Sequence, residues 1–221
     1  MSSQGLSWKD RILWLVLISA LVGVSVAALR SLVLESSTES AKPENFSSLG
    51  TVPDFQFVDE RGKAFGRSEL LGRVWIVDFI YTSCPSLCVQ MSRAMRSLQG
   101  RLEGLLGDEV RLVSVSVDPR YDTPERLSEY ASAHGARSGL WHFLTGSRAQ
   151  IFELCRDHFR LAVSDEFPEG APEPVTHSDR FVVIDRDARI RAYFRGTDEG
   201  ELEKLIQTVH QLVKEGSSRF R

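Results

Sequence analysis

The chain has few cysteines, little net charge and no internal repeat, and each of these absences excludes a class of protein. Its 221 residues include three cysteines, which are too few for a domain held together by a disulfide framework. A formal net charge of −3 is unlike the basic balance of nucleic-acid-binding proteins, so we predict no nucleic-acid partner. The lack of repeats and low-complexity tracts excludes repeat architectures.

Charged residues are missing from one long apolar run, Ile12 to Leu29. A transmembrane helix needs about 17 to 25 such residues, whereas the apolar part of a signal peptide has about 7 to 15. Lys9 and Arg11 precede the run, which favours a cytoplasmic N-terminus and an exported C-terminal domain. We therefore predict a membrane anchor, and a signal peptide cleaved after Ser25-Val26-Ala27 is the alternative.

The same end of the chain lacks two further signals. No cysteine lies near the end of the apolar run, which argues against a lipid-modified terminus, and the segment before it is too short for an organelle transit peptide. We predict a single-pass protein of the bacterial inner membrane with its C-terminal domain in the periplasm. The predicted organisation is a cytoplasmic tail (1–11), the anchor (12–29), a flexible linker (30–50), the domain (51–215) and a tail (216–221).

Strand and helix patterns alternate along the domain. The expected strands are Asp54–Val58, Val74–Tyr81, Val110–Val117, Trp141–Leu144, Phe181–Ile184 and Ile190–Phe194. The first of them meets a turn at Asp59-Glu60-Arg61-Gly62, which predicts a small N-terminal hairpin. The expected helices are Ser86 to Leu102, one opening at Thr123-Pro124, one opening with a capping box of Ser147 and Gln150, and Asp198 to Lys214. This order predicts an α/β domain with a mixed sheet and helices on both faces.

Cys84 and Cys88 follow the strand Val74–Tyr81 directly. Pro85 suits the first position of a helix, so we expect Cys84 to be the helix N-cap and Cys88 to lie one turn along on the same face. The N–H groups and the positive dipole end at a helix N-terminus favour a thiolate. Two such sulfurs predict a redox disulfide or a Cu(I) site.

Four segments in order give this chain a family resemblance. They are Phe79-Ile80-Tyr81-Thr82-Ser83-Cys84-Pro85-Ser86-Leu87-Cys88, Val115-Ser116-Val117-Asp118-Pro119-Arg120-Tyr121-Asp122-Thr123-Pro124, Trp141-His142-Phe143-Leu144-Thr145-Gly146, and His177-Ser178 before the strand Phe181–Ile184. Together they resemble the Sco (SenC) family of copper chaperones over about 52–213. The resemblance implies a thioredoxin-like fold and copper ligands at Cys84, Cys88 and His177.

The resemblance also implies a cargo and a partner. The cargo is copper as Cu(I), and the same ligands could hold Cu(II). The implied partner is subunit II of cytochrome c oxidase or another copper chaperone. The resemblance implies that the protein delivers copper to the binuclear copper site of subunit II, or keeps the thiols of that site reduced. Such a metallochaperone needs no catalytic turnover, so we do not predict an enzyme. The chain departs from the family at Val89, where proline is common, and at Pro174-Val175-Thr176, where acidic or aromatic residues are common.

The main alternative is a thiol–disulfide oxidoreductase in which Cys84 and Cys88 form the redox pair without a metal. Asp78, inside the buried strand, is then a base for thiol exchange, or else only a hydrogen-bonded core carboxylate. A peroxide-reducing enzyme is a third reading, with Thr82 near Cys84 but no arginine close in the sequence. Helical spacing predicts that several other candidates are core residues or lack a ligand context: Met91, Met95, Cys155, His142, His158 and His210.

Overall fold

The computed structural model describes residues 48–162 and 178–218, together with Trp8, Trp14, Ile18, Ser19 and Leu21. The predicted anchor and linker therefore lie almost wholly outside the described residues. Within the described part of the chain, no helix combines the length and the apolar character needed to cross a membrane. The chain divides into two compact units, Met1–Asn45 and Phe46–Arg221, and the second contains all the elements below.

The described residues of this unit form eight strands and four α-helices. The strands are β1 (Gly50–Thr51), β2 (Gln56–Asp59), β3 (Ala64–Gly66), β4 (Val74–Ile80), β5 (Val110–Ser116), β6 (Trp141–Thr145), β7 (Arg180–Ile184) and β8 (Arg189–Arg195). The helices are α1 (Leu87–Arg101), α2 (Pro124–Ala133), α3 (Arg148–Glu153) and α4 (Glu199–Ser218), with a 3-10 turn at Arg67–Glu69 and a π-helical turn at Leu154–His158.

All eight strands join one mixed sheet in the order β1-β8-β7-β4-β5-β6-β2-β3. The pairs β4–β5 and β5–β6 are parallel, and the other neighbours are antiparallel. The parallel strands need helical crossovers, which α1 and α2 supply, whereas the tight turn after Ile184 gives the hairpin β7–β8. The predicted α/β class with a mixed sheet and flanking helices is confirmed.

Strand β4 is central because it pairs with β5 on one side and β7 on the other. All seven of its residues are buried, as the uninterrupted apolar run predicted. Val117 N–H donates to the carbonyl of Ile80 at 2.8 Å and extends the parallel pairing to the end of the strand. The residues after Ile80 thus leave the sheet from the end of a strand that is hydrogen-bonded on both sides.

Two elements differ from the sequence prediction. The short strand β1, which pairs with β8, was not predicted, because two residues are too few to show a pattern. The predicted capping box before α3 is wrong, since the Ser147 side chain makes no cap hydrogen bond. The helix then widens at Leu154–His158, where Phe159 N–H bonds the carbonyl of Leu154, and this turn buries both Cys155 and Phe159.

The backbone at the end of β8 approaches α1 closely at Gly196. A Cβ atom built there would lie 2.6 Å from Met91 Sδ and 2.6 Å from Phe181 Cε2. Real Cβ atoms do not approach that closely, so a larger residue would displace the Met91 side chain and the Phe181 ring from their packed positions. Met91 lies one turn beyond Cys88 on α1, so this packing is close to the second thiol.

We predict that Gly196→Ala lowers the free energy of unfolding by about 1 to 3 kcal/mol through overpacking. Chemical denaturation of the full chain in detergent measures this change. Gly104→Ala is the matched control, because nothing lies within 4 Å of the added methyl group. Equal stability of the two variants would contradict the close packing of β8, β7 and α1.

Candidate metal-binding site

A tight turn carries the chain from β4 into α1. Cys84 N–H bonds the carbonyl of Tyr81 at 3.2 Å, and Ser86 is the N-cap residue, so the helix begins at Leu87. The prediction that Cys84 is the N-cap is therefore wrong by two positions. The turn that ends β4 closes on Cys84 itself, and Ser86 instead accepts the helical bond from Gln90 at 3.2 Å.

The Cys84 sulfur nevertheless performs a capping function. Cys88 N–H donates to Cys84 Sγ over 3.3 Å, which satisfies a donor in the first turn of α1 and brings the two cysteines together. The side chains are almost enclosed, with Cys84 7% and Cys88 4% exposed. Both cysteines are free thiols in this structure. The predicted adjacency of the two sulfurs is confirmed.

The two thiols have opposite acidities. Burial raises the pKa of Cys84, but the backbone N–H groups of Cys88 and Ser86 and hydrogen bonds from Tyr81 and Cys88 outweigh it, so the pKa falls below its ordinary value. Burial raises the pKa of Cys88, and the nearby charges of Cys84 and Asp78 raise it further. Cys84 is therefore the more acidic thiol of the pair, and Cys88 is the thiol that donates to it.

Asp78 is fully buried in β4 on the same side as this pair. Its Oδ1 accepts a 2.6 Å hydrogen bond from Ser114 Oγ, which in turn accepts one from Trp141 Nε1 at 3.0 Å. Its Oδ2 has no hydrogen-bond partner among the described residues. Burial raises the pKa of Asp78 to about 7, and the Ser114 bond only partly opposes the rise. A carboxyl group that titrates near neutrality can exchange protons with its surroundings.

A second buried carboxylate, Asp122, holds the loop before Cys84. Its oxygens accept hydrogen bonds from the backbone N–H of Thr82 at 3.0 Å, from the Thr82 hydroxyl, and from Ser116 Oγ. Asp118, in the same loop, is only partly buried, and its backbone N–H donates to Ser116 Oγ. In the sequence, Asp122 looks like an ordinary loop residue, and only the fold reveals its long-range contact with Thr82.

The carbonyl of Cys88 has a partner that the sequence analysis also missed. Tyr130 of α2 donates to it at 3.4 Å and shares a 2.8 Å hydrogen bond with Ser92 Oγ. The hydroxyl thereby ties the first two turns of α1 to α2. Nothing in the sequence around Tyr130 indicated that its hydroxyl would contact the backbone of the thiol pair.

The remaining sequence candidates separate clearly. His177 lies outside the described residues. Met91 and Met95 are buried in the core, as predicted. Cys155 is fully buried, and burial raises its pKa to about 12, so it is an inert thiol. His142 is buried against Asp59 and Glu60, a contact that the sequence did not suggest.

Comparisons with known proteins agree with this geometry. The family model described as SCO1/SenC matches residues 45–214. A SCO1 protein homolog of Bacillus subtilis is 33% identical over 159 residues, covering 72% of this chain and 80% of the relative. The structure of BsSco, described as a member of the Sco family of cytochrome c oxidase assembly proteins, has a TM-score of 0.66 and 31% identity, covering 76% of this chain and 96% of its own.

A copper-bound structure is also similar. ScoI of Bradyrhizobium japonicum, solved with copper bound, has a TM-score of 0.55 and 26% identity, covering 71% of this chain and 98% of its own. These similarities confirm the predicted thioredoxin-like fold.

The difference in acidity between the thiols gives a direct prediction. Near pH 7, iodoacetamide should modify Cys84 at least about tenfold faster than Cys88 in the reduced chain, because each pKa unit changes the thiolate population about tenfold. Mass spectrometry of peptides after a brief reaction measures the three rates separately. Cys155 is the internal control and should remain unmodified until the chain unfolds. Faster labelling of Cys88 would contradict the hydrogen-bonding pattern around the pair.

Proposed function

Because this chain belongs to the SCO1/SenC family, we propose that it is a copper-binding protein that takes part in cytochrome c oxidase assembly. The observation that carries the proposal is the hydrogen-bonded pair of buried cysteines, one of them with a lowered pKa, at the junction of β4 and α1. The solved relatives support it, since one is described as an oxidase assembly protein and another was solved with copper bound.

The proposed ligands are the Cys84 and Cys88 sulfurs and the His177 imidazole. Thiolates are soft ligands that favour Cu(I), and imidazole also binds copper. Cu(I) binding requires the Cys88 proton to leave, and the raised pKa of this thiol makes that loss costly without the metal. The free protein thus keeps Cys88 protonated beside the more acidic Cys84, and the cargo ion converts the pair into a two-sulfur site.

Delivery to the binuclear copper site of subunit II would proceed by ligand exchange. Thiolates of the acceptor replace Cys84, Cys88 and His177 one at a time, so copper never enters the solvent and its oxidation state is unchanged. As the site empties, Cys88 takes up a proton again. Its raised pKa favours this step, and so favours release.

We propose that the apolar run at 12–29 anchors the protein in the bacterial inner membrane and that the domain faces the periplasm. The support is the length of the run and the position of Lys9 and Arg11 before it. A tether of about twenty residues, 30–50, would hold the copper site near a membrane-bound acceptor and raise its effective concentration.

The third ligand is tested by adding one equivalent of Cu(I) to the reduced full chain in detergent. Competition with a chromophoric Cu(I) chelator should show that His177→Ala weakens copper retention by at least about tenfold, since even outer partners of metal ligands contribute that much. His210→Ala, on the exposed side of α4, is the matched control and should retain copper as the unaltered chain does. If the unaltered chain and both variants retain copper equally, His177 is not a ligand and the site is a dithiol alone.

A thiol–disulfide reductase is the second candidate, and Asp78 is the observation that favours it. The Cys84 thiolate would attack a disulfide of the partner and form a mixed disulfide. Cys88 would then lose its proton, attack the Cys84 sulfur and release the partner as a dithiol, leaving this chain oxidised. Asp78, buried near the pair with its pKa raised to about 7, could accept that proton.

The two candidates differ in a cell that lacks its own copy of the protein. If the protein delivers copper, cells with the His177→Ala chain should assemble much less cytochrome c oxidase, and added copper should partly restore the assembly. A reductase needs only the two thiols, so His177→Ala would then support normal assembly. The copper content of purified subunit II measures the outcome, and the Cys84→Ser/Cys88→Ser variant controls for loss of both functions.

A further inference from the structure

A buried polar cluster lies away from the thiol pair, where the hairpin β2–β3 meets β6. Asp59 ends β2 and is 1% exposed, Glu60 follows it at 8%, and His142 of β6 is 5% exposed. The antiparallel register places Asp59 opposite Leu144, so the backbone itself brings these side chains together. One ligand atom from each residue lies within 4.8 Å of the others.

The imidazole in this cluster has no hydrogen bond where one is expected. His142 Nδ1 is buried, lacks a partner among the described residues, and lies 4.0 Å from Glu60 Oε2, too far for a hydrogen bond. The ring is held in place by Phe65, with 4.6 Å between ring centroids. A buried polar atom without a partner is costly, and such an atom aimed at two carboxylates indicates a missing ligand.

A positive charge already touches the cluster from outside. Arg61 Nη2 contacts Asp59 Oδ2 at 2.6 Å, and its Nε lies 3.5 Å from Glu60 Oε1. The arginine side chain is 41% exposed and sits on a tight turn at the surface, so it can move into solvent. It neutralises the carboxylates but does not satisfy His142.

We infer that Asp59, Glu60 and His142 form a second metal site, which takes a divalent transition-metal ion of the Zn²⁺ class when Arg61 swings outward. One imidazole and two carboxylates are a nitrogen and oxygen ligand set typical of Zn²⁺ and unlike the soft thiolate pair. A shallow depression lined by Glu60, Arg61, Gly62 and Pro124 opens beside the cluster and gives the ion and a completing water a route inward.

The other bonds of these side chains suit that role. Asp59 Oδ1 accepts backbone N–H groups from Arg61 at 3.0 Å and Lys63 at 2.9 Å, which fixes the carboxylate and leaves Oδ2 for the ion. Phe143 N–H donates to Glu60 Oε2 at 3.1 Å and orients the second carboxylate. Such outer hydrogen bonds are what metal ligands require. Burial lowers the pKa of His142, so the imidazole is neutral, which is its metal-binding form.

The test uses the full chain in detergent with Cys84→Ser and Cys88→Ser, so that the thiol pair cannot bind the probe. Calorimetric titration with Zn²⁺ should show one ion bound per chain. Adding His142→Phe, which keeps a ring beside Phe65, should weaken binding by at least about tenfold. The same change at the exposed His210 is the matched control and should leave binding intact.

Arg61→Ala gives a result of the opposite sign. Removing the competing cation should tighten Zn²⁺ binding several-fold, and a misfolded variant could not show that gain. Three outcomes would overturn the inference. The first is that the variant with Cys84→Ser and Cys88→Ser binds no Zn²⁺. The others are that His142→Phe leaves the Zn²⁺ affinity unchanged, or that Arg61→Ala leaves it unchanged or weakens it. In each case the cluster is a structural ion pair completed by Arg61.

Discussion

The hydrogen bond from the Cys88 backbone N–H to the Cys84 sulfur is the interaction on which the proposed site depends. It lets a sulfur outside the helix accept a hydrogen bond from the first turn of α1, as an N-cap side chain would. Cys84 therefore both closes the turn after β4 and contacts the first turn of α1. The hydrogen bond stabilises negative charge on Cys84 while the buried Cys88 stays protonated. The backbone N–H of Ser86 and the Tyr81 side chain also lower the pKa of Cys84, so this hydrogen bond is one of several contacts that make the two thiols differ.

Three further parts of the fold hold that hydrogen bond in place. Strand β4, which precedes Cys84, is hydrogen-bonded to a neighbouring strand on each side. Asp122 binds Thr82 in the loop, and Tyr130 binds the Cys88 carbonyl. In addition, Gly196 leaves room for the Met91 side chain of α1 and for the Phe181 ring of β7. The two cysteines are therefore positioned by contacts already present in the fold, and the cost of ordering the two sulfurs falls on folding rather than on binding.

The sequence predicted the elements whose patterns are local. The buried run of β4, the alternation of strands and helices, and the spacing of Cys84 and Cys88 all follow from neighbouring residues. It failed where a pattern is too short, where a local turn shifted a helix start, and where a contact spans the chain. Strand β1 has only two residues, the turn after β4 moved the N-cap from Cys84 to Ser86, and Asp122 reaches Thr82 forty residues away. His142 looked like a strand residue without a role because Asp59 and Glu60 meet it only through the pairing of β2 with β6. The position of His177 stays a prediction.

We propose that two sulfurs and one imidazole together hold the copper ion. X-ray absorption of the full chain loaded with one equivalent of Cu(I) measures this ligand set most directly. We predict a first shell of two sulfur atoms and one imidazole nitrogen on a single copper ion. A shell made of sulfur alone, or one with a single sulfur, would contradict it, because the hydrogen-bonded pair would then not act as one site completed by a distant histidine.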